Sequence, residues 1–123
     1  MTPAFQDKLT EIRSRFVAAL DVRGQIVYEA IISIETEDNQ GAALQAAQME
    51  LHKIAGTAAP LGFKELGAFA ADFESRISAQ LSCSELNLIA LKTDLLELME
   101  TIESIQLDAS PSNWMRGSPN AFA

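Results

Sequence analysis

The sequence predicts an all-α protein: an antiparallel up-down four-helix bundle with an additional N-terminal helix. Three observations lead there. Apolar residues recur at intervals of three and four over nearly the whole chain. One segment has strand character, but no second one exists to pair with it. The 123 residues are 48% hydrophobic and 21% charged, the ordinary balance of one globular domain. The bundle is expected over residues 1–107, followed by a C-terminal tail over 108–123.

Phe5, Leu9, Ile12 and Phe16 form the first stripe, closed by Ala19 and Leu20, with Thr2-Pro3 as a cap and a first-turn proline. Asp21 and Gly24 then predict a break or kink. The β-branched run from Ile26 to Ile34 would suit a strand. An isolated strand leaves its backbone groups without partners, so it is read as a helix ending in the polar turn of Glu35, Glu37, Asp38, Asn39 and Gly41. Leu44, Ala47, Leu51, Ile54, Ala58 and Leu61 form a narrow seam, stopped by Pro60 and Gly62. Leu66, Phe69, Phe73, Ile77 and Leu81 outline the next helix. Ser82-Cys83-Ser84-Glu85 reads as a capping box for the last one, whose seam is Leu88, Leu91, Leu95, Leu98, Ile102 and Ile105. The tail that follows is rich in Ser, Pro and Asn, and its Trp114 is suited to dock on the bundle or on a neighbouring chain.

Nine Lys and Arg stand against 17 Asp and Glu, a net charge of −8. With no basic cluster, neither nucleic acid nor an anionic membrane is expected as the main ligand. No apolar run approaches the roughly 18 residues of a membrane span, and the first residues lack the order of a signal peptide. The single cysteine, Cys83, suits a reducing cytoplasm. One Cys and one His exclude the usual structural zinc patterns, and every His-paired nucleophile would compete for the same imidazole. The acidic run Glu35, Glu37, Asp38 lacks the spacing of a calcium loop. No cofactor is expected.

The imidazole is therefore the group to place. His52 lies roughly 130° around the helix from the centre of the 44–61 seam, on the solvent flank. Gln45, Gly56 and Ala59 share its side, and Gln48 and Ala55 lie between it and the seam. A glycine inside a helix costs about 1 kcal/mol relative to Ala. Gly56, one turn after an exposed His, either packs against a neighbouring helix or leaves room for another backbone or a bulky substituent.

The stretch Leu51-His52-Lys53-Ile54-Ala55-Gly56-Thr57-Ala58-Ala59-Pro60-Leu61-Gly62-Phe63-Lys64-Glu65-Leu66 resembles the central motif of the histidine-containing phosphotransfer (HPt) domain family. That motif sets a phosphorylatable His four residues before a Gly, then small residues and a Leu-Gly pair opening the next helix. His52, Gly56, Leu61 and Gly62 fall on those positions without a gap. The family fold, a four-helix bundle with an extra N-terminal helix, extends the resemblance over most of the chain. It implies a phosphoryl carrier rather than an autonomous enzyme, with His52 accepting from a receiver-domain aspartate and returning the group to another. The implied partners are response-regulator receivers and a hybrid sensor kinase, with Mg²⁺ held by the receiver and the carrier itself a monomer.

The resemblance also implies roles for the neighbours of His52. Receivers would dock over Gln45, Gln48, Met49, Ala55 and Ala59, with Phe63 at one rim, and Lys53, Gly56 and Lys64 would form the phosphate environment. By alignment with the family, Glu74 stands where a polar residue orients the ring; the alternatives are a local ion pair or open solvent. One departure is Ala55, where the family often has Lys. It bears on how phosphohistidine is stabilised, not on whether His52 accepts phosphate. Two other readings remain: a phosphotransfer-like module that binds and blocks a receiver or kinase, and a helical adaptor or dimer with Trp114 in its interface.

Overall fold

The computed structural model describes residues 3–35, 40–82 and 86–108. It contains four helices: α1 (Pro3–Ser33), α2 (Gln40–Ala58), α3 (Lys64–Leu81) and α4 (Leu88–Asp108), with a short 3₁₀ turn at Ala59–Leu61. No strand occurs among the described residues, so the β-branched run 26–34 is helical. Cross-helix partners show the up-down order. Arg23 meets Glu50 between α1 and α2, and Gln48 meets Ser78 while His52 meets Glu74 between α2 and α3. Arg76 meets Asp94 between α3 and α4, and Gln106 donates to the Val17 carbonyl between α4 and α1. Each helix thus runs antiparallel to the next.

The seams supply the core. Leu44, Ala47, Leu51, Ile54 and Ala58 of α2 are buried against Leu66, Ala70, Phe73 and Ile77 of α3 and Leu91, Leu95, Leu98 and Ile102 of α4. From α1 come Phe16, Leu20, Val27, Ile31 and Ile34, the last just past the helix end. Leu81, expected in the α3 stripe, is exposed at the end of that helix.

The N-terminal region departs from the expectation. No break occurs at Asp21 or Gly24, and the additional N-terminal helix is the first part of one 31-residue α1, about 46 Å long. Gly24 is buried: a Cβ there would lie 3.0 Å from Ile102 Cδ1 and 3.5 Å from Met99 Sδ. The glycine therefore serves the close approach of α1 and α4, a packing role that a sequence cannot distinguish from a helix stop. The early stripe also faces solvent more than expected. Among residues 4–15 none is buried, and Phe5 and Ile12 are exposed.

Two helix ends carry the remaining differences. α2 gives way to the 3₁₀ turn at Ala58, and Gly62, at φ 97°, closes it with its N–H on the Ala59 carbonyl; the Phe63 N–H reaches the Ala58 carbonyl. The start of α4 is capped by Asn87, whose Oδ1 accepts from the Ala90 N–H at 3.0 Å. Ser82, read as that cap, instead ends α3, with its N–H on the Ala79 and Gln80 carbonyls. Cys83 and Glu85, the turn residues 36–39 and the tail beyond Asp108, with Trp114, lie outside the described residues.

Gly24→Val should overfill the α1–α4 contact and lower stability by about 1–3 kcal/mol in urea unfolding.

Candidate functional site

Two faces of α2 follow from its sequence. One is the buried seam. The other is the row Gln45, Met49, His52 and Gly56, continued by Ala59 of the 3₁₀ turn, spaced 4, 3, 4 and 3 and all exposed. Gln48 and Ala55, half-buried, lie between this row and α3.

A matching row on α3 consists of Gly67, Glu74 and Ser78. At its foot the two helices come close together. A Cβ on Gly67 would lie 3.4 Å from the Ala59 backbone N, 3.5 Å from Ala58 Cβ and 3.6 Å from the Ala55 carbonyl oxygen. Glycine on α3 facing alanines on α2 brings the backbones close enough for polar side chains of ordinary length to meet higher up. There His52 faces Glu74, and one turn further on the Gln48 amide donates to the Ser78 hydroxyl.

His52 Nδ1 is 3.1 Å from Glu74 Oε2 and 3.4 Å from Oε1. An ionised carboxylate only accepts, so this contact is a hydrogen bond when Nδ1 carries the proton. In the neutral ring Nε2 then holds the lone pair. The His52 side chain is 78% exposed and that of Glu74 25%, so the carboxylate is held in the helix interface while the ring projects from it.

Gly56 sits one turn below the ring, and a Cβ there would meet nothing within 4 Å. Packing among the described residues therefore does not call for this glycine. On this face the glycine that packs is Gly67, which the helical seams alone do not single out; the seven-residue step from Gly67 to Glu74 is the available signal.

The two lysines are not brought against the ring. Lys53 Nζ lies 3.3 Å from Glu50 Oε2, and that same oxygen is 3.8 Å from Arg23 Nη1 on α1. Glu50, buried apart from a sliver of its surface, was also missed by the sequence reading; it draws Lys53 towards the α1 flank. Lys64 is exposed on the first turn of α3, beside a cleft that Glu97 and Glu100 of α4 also line. It precedes Glu74 by ten residues, about 15 Å along the helix axis. Phe63 is half-buried, its ring stacked on Phe16 at 5.6 Å with the Arg13 guanidinium 5.5 Å from its centroid. Its position is fixed by α1, and it borders the α2 row at the 3₁₀ turn. Arg76 is occupied by Asp94 at 2.7 Å.

Among the described residues, no group of three or more His, Cys, Asp or Glu side chains is arranged to hold a metal ion. No helix among them is long and apolar enough to cross a membrane.

Residues 3–109 match the family model of the Hpt domain. The chain belongs to the Hpt domain family. No curated protein and no solved structure matches it. Membership makes it a phosphotransfer module of two-component signalling, a class that works with receiver domains. An exposed row on a rigid helix is the kind of surface a protein partner can cover, unlike the concave pocket a small molecule needs.

Because Gly56 is open on the helix surface, Gly56→Ala in this Hpt domain should raise stability by about 0.5–1 kcal/mol, read as a higher Tm.

Proposed function

We propose that His52 is the phosphoacceptor of a cytoplasmic phosphorelay carrier. Its Nε2 takes a phosphoryl group from the aspartyl phosphate of one receiver and delivers it to the aspartate of another. The observation that carries the reading is the pairing of a largely exposed imidazole with a carboxylate at Nδ1.

The step balances without a cofactor on this chain. The Nε2 lone pair forms the N–P bond as the P–O bond to the receiver aspartate breaks, and the carboxylate leaves with that electron pair. The Nδ1 proton stays in its hydrogen bond to Glu74, which is then paired with a ring that has gained positive charge. Onward transfer reverses this order: the second carboxylate attacks phosphorus and the P–N bond returns its electrons to Nε2. Splitting one transfer into two leaves the bundle the task of positioning, and the Mg²⁺ that neutralises the phosphoryl oxygens comes with the receiver.

The receiver docks over Gln45, Gln48, Met49, Ala55 and Ala59. Met49, 62% exposed, offers an adaptable apolar contact to a surface that meets more than one partner. Gly56 gives the receiver's loops room beside the phosphoryl group. Glu74 is a positioning residue, acting through the ring. Lys53 and Lys64 contribute diffuse positive charge, since one is committed to Glu50 and the other stands turns away. With Ala55 in the helix, close charge compensation falls to the partner.

The test is transfer from a radiolabelled receiver. Wild type should acquire acid-labile, base-stable label. His52→Gln should take none while keeping its stability within about 0.5 kcal/mol, as befits an exposed position. Glu74→Ala should slow transfer roughly 10–100-fold by releasing the ring, with Glu74→Gln, which keeps an acceptor, in between. Binding to a receiver without label on His52 would favour instead a module that blocks its partner.

A further inference from the structure

On the side of the bundle opposite the α2–α3 face, α1 and α4 flank an open groove of about 540 Å³. Val22, Ile26, Met99 and Ile102 line it, and Asp21 and Glu29 stand on its rim. Its apolar surface is not tucked away. Val22 is 63% exposed and Ile26 37%, and Met99 of α4 is half-buried; Leu96, exposed one turn before Met99, lies outside the lining. Apolar side chains grouped in this way on two adjacent helices mark an interaction surface more often than chance scatter.

The charges decide what fits. Among the described residues, no basic side chain lines the groove. Glu29 accepts from the neighbouring Gln25, and Glu103 follows Met99 by one turn on α4, so both helices present carboxylates beside the apolar strip. Lys92, on α4, is engaged by Glu35. A second copy of this chain would bring the same carboxylates against their equals, in a molecule already at −8. The shape, a furrow between two antiparallel helices, is that into which an amphipathic helix lays its apolar face.

We propose that the α1–α4 groove binds an amphipathic helix of a partner protein whose apolar stripe is flanked by Lys and Arg. Such a partner would leave the His52 face open, so the Hpt domain could be held at one face while receivers visit the other.

The experiment is a titration of the ¹⁵N-labelled full chain with a synthetic helical peptide of about four turns, carrying a Leu stripe flanked by Lys and Arg. A second peptide has Glu in place of each Lys and Arg. The basic peptide should shift resonances saturably within residues 20–29 and 96–103 and leave those around His52 unmoved. Binding should weaken with salt, fall roughly three- to tenfold in Val22→Ser, and weaken in Glu29→Gln. Both positions are exposed, so these variants should fold. Equal binding of the acidic peptide would overturn the proposal, as would shifts gathered on the α2–α3 face or no saturation by about 1 mM. So would concentration-dependent shifts of the protein alone at the groove, which would make the occupant a second copy. No phosphoryl transfer enters the readout, so the outcome stands apart from that of the relay.

Discussion

The contact between His52 Nδ1 and Glu74 is the point on which the functional surface turns, and it is produced by backbone proximity. Two side chains of ordinary length on neighbouring helices meet without bending because Gly67 and the alanines at 55, 58 and 59 let α3 lie close to the end of α2. A bulkier residue at 67 would push the helices apart at the foot of the row, and the carboxylate would move away from the ring. Gln48 and Ser78 close the other side of the same contact. The ring is thus held by one nitrogen between two fixed points while its other edge stands in solvent. That division, one nitrogen held and the other reachable, is what the proposed phosphoacceptor role of His52 would use.

The charged side chains show a similar division. Lys53 turns to Glu50, Arg76 to Asp94 and Lys92 to Glu35, each across or along the flanks of the helices. The Lys92–Glu35 pair, exposed on both sides, stabilises the fold weakly. The larger effect of the three pairs here is on geography: they keep positive charge away from the exposed row of α2, which is left with small, polar and flexible apolar groups. A surface of that make-up suits the repeated, reversible docking that the proposed relay requires.

Much of this was legible in the sequence because helical periodicity is a local property. The seams of α2, α3 and α4 and the exposed placement of His52 follow from spacing alone, and the resemblance around His52 and Gly56 pointed to the family. What escaped depended on partners distant along the chain. Gly24 resembles a helix stop until Ile102 and Met99 are placed over it. Ser82 and Asn87 both have capping chemistry, and the choice between them turns on where α3 ends. Lys53 reads as part of the phosphate environment until Glu50 claims it, and Phe63 as one rim of the docking surface until Phe16 stacks upon it. Gly67 was overlooked for the same reason, since its meaning lies in the helix it touches.

The most direct test of the account is the ring of His52 itself, observed by ¹⁵N NMR before and after phosphorylation. The expected result is a proton held on Nδ1 by Glu74 in the free protein and phosphorus bonded to Nε2 in the phosphorylated one, with Glu74→Ala losing the tautomer preference. A proton resident on Nε2, or phosphorus on Nδ1, would contradict it and remove Glu74 from the mechanism.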